Sequence, residues 1–563
     1  MLVRYQKSLA FISLSSLATT TLFIAPSFAF DPFNAPRLLS LGAFCGASIV
    51  ALLLGLKHKW FSIYKTPLLA ILFFVSSLTL TLLIASPSFN AQFYGAYGRN
   101  TGYLAYFALA ILLFIGVIAG NASNLNYYIY VLFSVSLIST FYGFLQVFGA
   151  DPTTVVNPSN FAFGFFGNQN FQSAFTAIAV AAAVAIFISQ SISIISRLLL
   201  LVFIVTSIVQ IYYTKSEQGY FVLVASVVVL TYLRFVRPMK VQLKAAYLVF
   251  SVIGFFVVLF GTLNKGFLAK YLYQESVTFR GDYWRAGQNM TLENPIFGVG
   301  LDSYGDWYRR SRTLEATLRR GPDVFSNSAH NQLIDISSNG GLLLLSAYLI
   351  ILGLAVRAVI KVLKRERTYN WKFTAVFIAW FTYQLQSLIS INQLGMGVWG
   401  WTFTGLLIGY EINTRTKDMN ADQNLAKVPG ITAKPSSEKI KPDWDVVLFS
   451  LFGLIVGALI AMSPLRNSIE VRSLSGETTI GAVEEFGMRN SLNPEISILM
   501  AGNLVDSGFD ENALRVIRNT VKNNPDNYFA WKLYASIPSA SPQEIAQAQI
   551  QMKRLDPLNP ELK

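Results

Sequence analysis

The chain has 563 residues, of which 53% are hydrophobic and only 13% are charged, and its mean hydropathy is +0.47. A soluble chain carries roughly 25% charged residues, so this composition excludes an ordinary soluble globular protein. The net charge of +14 does not indicate a nucleic-acid-binding protein, because no basic-aromatic module accompanies it. The single cysteine, Cys45, excludes a disulfide within the chain and a cysteine metal site.

Apolar stretches without charged residues recur along the chain, each about 17–22 residues long, the length that crosses a bilayer as a helix. Hydrocarbon offers the backbone no hydrogen-bond partner, so such spans must be helical. The sequence therefore predicts an all-α, polytopic integral membrane protein with about thirteen spans. They lie near Ala10–Phe28, Leu38–Leu56, Pro67–Ala85, Tyr103–Gly120, Tyr127–Phe148, Phe171–Ser189, Leu198–Tyr213, Tyr220–Tyr232, Ala245–Leu263, Leu342–Val356, Phe373–Ile391, Val398–Tyr410 and Val446–Met462.

The amino-terminal span has a second interpretation. Arg4 and Lys7 precede an apolar stretch that ends at Ser27-Phe28-Ala29, a pattern typical of a secretory signal with a small-residue cleavage site. Because the apolar stretch is long, we expect it to be retained as a span. The rest of the topology is the same in either case.

Basic residues are unevenly distributed between the loops. They precede the first predicted span and follow the second, eighth, tenth and twelfth spans, which places them on one side of an alternating chain. Basic loops remain in the cytoplasm, so we predict a multi-pass protein of the cytoplasmic (inner) membrane. Residues 86–102, 149–170 and 263–341 and the tail after Met462 are then extracytoplasmic. The basic loop residues include Lys57, Arg234, Arg237, Lys364, Arg365 and Lys427.

Composition divides the chain into four parts. Residues 1–413 form the polytopic domain, in which 263–341 is a long outer loop. Residues 414–443 are polar and include Pro429, Gly430 and Pro435, so we interpret them as a cytoplasmic linker. Residues 444–463 form an additional transmembrane helix, and residues 464–563 form an extracytoplasmic tail.

The tail has the spacing of a helical repeat. Ala501, Gly508, Ala513 and Pro525 stand at the spacings of a tetratricopeptide repeat, and Ala535 follows one period after Ala501. An unrelated pair of helical hairpins is the alternative. We interpret the tail as a small helical domain that docks a protein partner.

The long outer loop contains three predicted short helices. Arg280 and Trp284 share a face of the first, which ends at Asn294-Pro295. Two flexible glycines, Gly298 and Gly300, form the turn that follows. We expect Trp284 to serve packing rather than sugar stacking.

His330 is the only histidine available to chemistry on the outer face, because His58 lies in a basic cytoplasmic loop. We expect Asp302 to cap the second short helix and Ser328 to cap the third, which ends at Asn339-Gly340-Gly341. His330 would then lie in a first helical turn, where the helix dipole favours a neutral imidazole. A neutral imidazole can act as a general base, and a purely structural role is the alternative.

Other arginines have simpler interpretations. Arg309, Arg310 and Arg312 follow the second short helix, and we expect them to form a solvated or headgroup-contacting face. Arg99 lies in the loop after the third span, where contact with lipid headgroups is the alternative to a role in binding.

The string from Arg280 to Gly341, with its Asn294-Pro295-Ile296-Phe297-Gly298-Val299-Gly300 and Ser328-Ala329-His330-Asn331 segments, resembles the O-antigen ligase family. This family includes lipopolysaccharide O-antigen ligases, O-antigen polymerases and bacterial protein O-oligosaccharyltransferases. Two more segments are similar to it: Gly98-Arg99-Asn100-Thr101-Gly102 and Phe165-Phe166-Gly167-Asn168-Gln169-Asn170. The resemblance covers most of the chain before the linker and leaves out the tail.

The resemblance implies a helical bundle of the membrane glycosyltransferase (GT-C-like) type that works without a metal, a nucleotide sugar or another cofactor. It implies transfer of a glycan from a polyprenyl (undecaprenyl) diphosphate carrier to a hydroxyl of an acceptor glycan, lipid or protein, in polysaccharide biosynthesis at the cell envelope. Arg99, Arg280 and Lys215 would bind the diphosphate, and His330 would take the acceptor proton or help to bind the diphosphate. Trp284, Gly298, Gly300 and Asn331 would shape the loop and contact substrate.

The chain departs from the family at one place. Family members often carry Ser-Arg after the seventh span, whereas this chain has Thr214-Lys215-Ser216, so Lys215 would supply the positive charge one position early. Two other function classes compete with the transferase. A lipid-linked glycan transporter predicts charges inside the spans and repeated halves, which the sequence lacks, and an envelope scaffold would not need Arg99, Arg280 and His330.

Overall fold

A computed structural model of the protein describes residues 2–153, 155, 157, 160–425, 441–475 and 479–562, with the backbone alone for 416–425. The described residues form helices and connecting turns without a β-strand. The amino-terminal part contains α1 (Leu2–Leu22), α2 (Asn34–Leu54), α3 (Trp60–Ile63), α4 (Lys65–Ile84), α5 (Phe89–Tyr94), α6 (Tyr103–Ala119), α7 (Leu125–Val147), α8 (Gln169–Phe187), α9 (Ile194–Tyr213), α10 (Gln218–Thr231), α11 (Val241–Thr262) and α12 (Ala269–Leu272).

The rest of the chain contains the loop helices, four further long helices and the tail. These are α13 (Glu275–Glu293), α14 (Tyr304–Ser311), α15 (Leu314–Arg320), α16 (Gln332–Arg365), α17 (Trp371–Ser387), α18 (Leu394–Leu425), α19 (Trp444–Leu474), α20 (Ile480–Arg489), α21 (Pro494–Asp506), α22 (Asp510–Asn523), α23 (Tyr528–Ser536) and α24 (Pro542–Leu555). Half of the predicted linker 414–443, residues 426–440, lies outside the described residues.

Each predicted span coincides with a helix, which confirms the all-helical polytopic fold. In the described part of the chain, nine helices are long and apolar enough to cross a membrane. The remaining four predicted spans correspond to α1, α6, α17 and α18. α1 packs inside the bundle, where Tyr5 and Leu17 are fully buried and Thr21 accepts a hydrogen bond from Trp399 Nε1 at 2.9 Å, which supports its retention as a span.

Glycines bring α2 and α19 into backbone contact. A Cβ added to Gly46 of α2 would strike the carbonyl of Gly453 in α19, and one added to Gly457 would strike the carbonyl of Gly42. Helices without side chains at the contact approach closely, and close packing of this kind drives helix association in lipid. The last long helix is therefore fixed against the second helix of the chain.

The connections gather at two ends of the bundle. At one end, which we call the basic end, Tyr64 donates to Asn413 Oδ1 at 2.7 Å and Arg237 donates to the carbonyl of Glu366 at 2.9 Å. At the other, which we call the loop end, Asn34 donates to the carbonyl of Gly98 at 2.7 Å. The two ends separate the basic connections from the segments that carry Arg99, Arg280 and His330.

Candidate functional site

The turn after α13 packs on a break in α16. Gly298 and Gly341 have φ angles of 65° and 71°, which favour glycine. Val299 N–H donates to the carbonyl of Ser338 at 2.8 Å, and Leu342 N–H donates to the carbonyl of Pro295 at 2.7 Å. The predicted third loop helix does end at Gly341, but the chain continues directly into the tenth predicted span, so the two form one kinked element.

The amino end of α16 differs from the prediction. Asn331 is the N-cap, because its side chain accepts from the backbone N–H groups of Leu333 and Ile334, and it also donates to the carbonyl of Leu388 at 2.9 Å. Ser328 is not the cap, since its Oγ donates to Asp335 at 2.7 Å. The expectation that Ser328 starts the helix is therefore wrong.

His330 lies just before the helix rather than in its first turn. Its φ angle is 54°, and its backbone N–H donates to Ser328 Oγ at 3.0 Å. The imidazole stacks on the ring of Tyr283, with centroids 5.4 Å apart and an interplanar angle of 26°. The loop thus fixes His330 through the backbone and through one ring face, and no described residue makes a hydrogen bond to a ring nitrogen.

The imidazole is neutral near pH 7. Burial, the largest cause, and the positive charges of Arg280 and Arg99 together lower the pKa of His330 to about 4. Arg99 donates to the carbonyl of Asn327, three residues before His330, and Tyr283, one turn after Arg280 on α13, stacks on the imidazole. The fold thus brings Arg99, Arg280 and His330 together, although they are far apart in sequence.

Arg280 lies on α13 with its guanidinium half-buried, and burial lowers its pKa. It makes no ion pair or hydrogen bond with a described residue, so its donors remain available. Trp284 lies one turn further along α13 and packs, partly buried, against the cluster that contains Tyr304 and Tyr308. This packing agrees with the role expected for Trp284.

Arg99 is held by Asp302. Its Nη2 lies 3.1 Å from Asp302 Oδ1, and its Nη1 donates to the carbonyl of Asn327, while its Nε has no partner among the described residues. Asp302 also accepts from Ala96 N–H at 2.9 Å and from Thr101 Oγ1 at 2.8 Å. Arg99 is thus built into the loop end, and 11% of its side chain stays exposed.

The prediction that Asp302 caps α14 is wrong, because the carboxylate is occupied by the Arg99 loop. The N-cap residue is Ser303, whose own side chain does not cap the helix. Asn339 does so from α16: its Oδ1 accepts from the backbone N–H groups of Ser303 and Tyr304, each at 3.0 Å.

Lys215 lies in the turn between α9 and α10, exposed and with a φ angle of 55°. Its Nζ stands 4.1 Å from the centroid of the Tyr212 ring. The next residue, Ser216, donates to Asn170 Oδ1 at 2.6 Å and joins this turn to the second segment of the resemblance. No contact in the described structure joins Lys215 to Arg99, Arg280 or His330.

The arginines at the carboxyl end of α14, Arg309, Arg310 and Arg312, are not a solvated face, so that expectation is wrong. Arg309 and Arg312 are buried and bind Asp556 of the tail, with N–O distances of 3.1 Å and 2.8 Å. Arg309 also stands 4.3 Å from the centroid of the Tyr528 ring. Arg310 lies 3.4 Å from Asp526, another tail carboxylate. The tail therefore docks on the outer loop, a contact that local sequence patterns did not reveal.

A second residue escaped the sequence analysis. Arg37, in the first turn of α2, is fully buried, and its Nη2 donates to the carbonyl of Phe165. Its signal in the sequence was present but unused: a lone arginine at the edge of a predicted span, within a segment that otherwise lacks charge.

Part of the chain matches a known protein family. Residues 202–349 match the family model described as O-antigen ligase, and no curated protein matches the chain. The matched segment contains Lys215, Arg280, Trp284 and His330, whereas Arg99 and the tail lie outside it. Over this segment the chain is similar to the O-antigen ligase family, and the match supports a membrane enzyme that transfers glycans.

Proposed function

We propose that the protein transfers a glycan from a polyprenyl diphosphate carrier to an acceptor hydroxyl on the extracytoplasmic face of the cytoplasmic membrane. The observation that carries this proposal is the convergence of Arg99, Arg280 and a neutral His330 at the loop end. The match of residues 202–349 to the O-antigen ligase model supports the reaction class, and the position of the basic loops at the opposite end supports the orientation.

In this proposal the arginines bind the diphosphate. Arg280 has its donors free, and a guanidinium matches two phosphate oxygens at once. Arg99 is held in place by Asp302, and its unpaired Nε is the donor that remains for the diphosphate. The diphosphate is already a good leaving group, so it needs neutralisation of its charge more than it needs a proton.

His330 acts on the acceptor. The acceptor oxygen forms a bond to the anomeric carbon, the bond from that carbon to the diphosphate oxygen breaks, and its electron pair leaves with the diphosphate. A ring nitrogen of His330 accepts the hydroxyl proton. With a pKa of about 4 the free imidazole is a weak base. The negative charge of the bound donor offsets the field of Arg280 and Arg99, so donor binding raises this pKa and strengthens the base.

The tail has a place in the proposal through its contact with the outer loop. Helices α20–α24 have their own buried core, in which Ile496, Ala513 and Ile517 are fully buried. The tetratricopeptide interpretation and the docking of a protein partner stay predictions. The face of the tail that carries Asp526 and Asp556 is already bound to the outer loop.

The experiment that tests the proposed function is deletion of the gene followed by mass analysis of envelope glycans and glycoproteins. Glycans of reduced chain length would identify a polymerase, and intact chains left on the lipid carrier would identify a ligase. Glycoproteins without their glycan would identify transfer to Ser or Thr. Unchanged glycans, glycoproteins and lipid-linked intermediates would contradict the proposal.

A further inference from the structure

Arg37 is buried with most of its hydrogen-bonding capacity unused. None of its side chain is exposed, and only Nη2 has a partner, the carbonyl of Phe165. Nε and Nη1 have no partner among the described residues. Burying an ionised guanidinium without partners is costly, and each unmet donor loses its bond to water. An arginine in this state is expected to face a ligand or water that completes its hydrogen bonds.

The guanidinium of Arg37 lies against aromatic rings and is not paired with a carboxylate. The rings of Phe33 and Phe166 lie 5.8 Å and 5.6 Å from its guanidinium carbon. The nearby carboxylate of Asp31 makes no ion pair with it. Asp31 instead accepts from the backbone N–H groups of Phe33, Asn34 and Ala35, at 3.0–3.1 Å.

Gln393 and the first turn of α18 lie beside the unused Nε. A Cβ added to Gly395, in the first turn of α18, would stand 3.2 Å from Arg37 Nε, 3.0 Å from Gln393 Oε1 and 3.2 Å from the Phe166 ring. Gln393 is buried, and its Nε2 also has no partner among the described residues. The amino end of the long helix α18 opens at the same place, where the helix dipole favours an anion.

The cluster formed by Arg37, Gln393 and the amino end of α18 adjoins the candidate site. Asn34, which donates to the carbonyl beside Arg99, precedes Arg37 by three residues on α2, so Arg37 lies about 4.5 Å deeper in the bundle. On the other side, Asn331, next to His330, donates to the carbonyl of Leu388, where the segment that leads to Gln393 begins. The cluster is therefore below Arg99 and next to the segment that contacts the His330 loop.

We propose that Arg37, Gln393 and the amino end of α18 form a phosphate pocket that binds the lipid-attached phosphate of the carrier. This inference rests on the proposed function and extends it. A diphosphate with its lipid chain in the membrane presents the lipid-attached phosphate deeper than the sugar-attached one. Arg37 thus binds the lipid-attached phosphate, and Arg280 and Arg99 bind the sugar-attached phosphate.

The test measures lipid binding to the full chain in phosphatidylcholine nanodiscs. The probes are undecaprenyl diphosphate and undecaprenyl monophosphate, which keeps only the lipid-attached phosphate. Hydrogen bonds to charged groups predict that Arg37→Gln weakens the binding of both lipids about 10–100-fold. Arg280→Ala should weaken the diphosphate alone. Arg234→Gln is the matched control, because Arg234 also donates to a carbonyl, that of Ile188, and lies against two rings at the basic end.

Gly395→Ala gives a second variant that keeps Arg37. The added methyl group would stand 3.2 Å from Arg37 Nε and 3.0 Å from Gln393 Oε1 and would crowd both groups. Alanine favours a helix more than glycine does, so weaker binding of undecaprenyl monophosphate would not come from a weaker helix. Retention of monophosphate binding within twofold in both Arg37→Gln and Gly395→Ala would overturn the pocket. If the wild-type chain bound no undecaprenyl diphosphate, the proposed function would fail as well.

Two further arms identify the source of the phosphate. Inorganic pyrophosphate should bind much more weakly than the lipid diphosphate, and phosphatidylglycerol added to the nanodiscs should compete poorly. Equal, Arg37-dependent binding of inorganic pyrophosphate would assign the pocket to a soluble anion. Equal competition by phosphatidylglycerol would assign it to bilayer headgroups. Either result would overturn the assignment to the carrier.

Discussion

Two groups of arginines meet at the loop end, and they differ in what satisfies them. Arg309 and Arg312 are buried, yet both bind Asp556 and backbone carbonyls of residues 322–324. Arg37 has two buried donors without partners among the described residues, and Arg280 makes no ion pair or hydrogen bond with any of them. Arg99 is intermediate, because it is paired with Asp302 and, like Arg309 and Arg312, lacks a partner at Nε alone. The difference separates guanidinium groups that hold the protein together from guanidinium groups that await a ligand. Sequence position alone does not separate them, because Arg280 and Arg309 lie in the same loop.

The largest expected effect concerns His330, which lies near Arg280 and Arg99. His330→Ala should lower the rate of glycan transfer by about 10²–10⁴-fold, the usual range for a general base, while binding of the lipid diphosphate survives. Single-turnover transfer by the purified enzyme and separate measurement of donor binding check this. Near-full activity would exclude His330 from the mechanism. A loop carboxylate as the base, or positioning of the substrates by the arginines, would then have to account for transfer.

The paired group should respond in stability rather than in chemistry. Asp556→Ala leaves Arg309 and Arg312 buried without a counter-charge, and breaking a buried pair costs about 3–5 kcal/mol. We expect release of the tail, measured as faster hydrogen exchange in α14 and α24. Asp323→Ala is the control, because its ion pair with Lys532 is exposed and contributes at most about 1 kcal/mol. Equal exchange in the two variants would contradict the distinction.

Loss of an unpaired arginine should weaken donor binding without loosening the fold. Arg280→Ala should raise the dissociation constant of the lipid diphosphate about 10–100-fold, and Arg280→Lys should rescue it only partly, because lysine cannot make the two-pronged contact. Arg285→Ala, on the same helix and in an exposed ion pair with Glu315, is the control. A large fall in thermal stability of Arg280→Ala would place Arg280 in the structural group.

The smallest expected effect is a shift in pH dependence. The neutral imidazole is the active form, so kcat/KM, which reports the free enzyme, should fall only as pH drops through about 4 and stay level above it. Bound donor offsets the field of Arg280 and Arg99, so the profile of kcat should turn at a higher pH. Identical profiles would show that the arginines do not face the diphosphate.

The sequence predicted the long helices and the loop motifs well, because hydropathy and glycine or proline signals are local. It could not rank Ser328 against Asn331 as the N-cap of α16, since both are good caps and a contact with Asp335 decides between them. It also could not find the partners of Arg309 or Arg37, which lie far away in the chain, at Asp556 and Phe165. For the same reason the tail looked separable from the sequence, whereas two buried ion pairs join it to the loop.

The backbone contact between α2 and α19 also sets an order of assembly during biosynthesis. The ribosome synthesises α2 early and α19 late. The surface of α2 around Gly42 and Gly46 therefore lacks its contact with α19 until most of the other helices have been synthesised. α19 leads directly into the tail, so Asp556 can reach Arg309 and Arg312 only after that helix is in place. A nascent chain therefore contains the outer loop long before it contains the tail that binds this loop, and folding is completed at the carboxyl end.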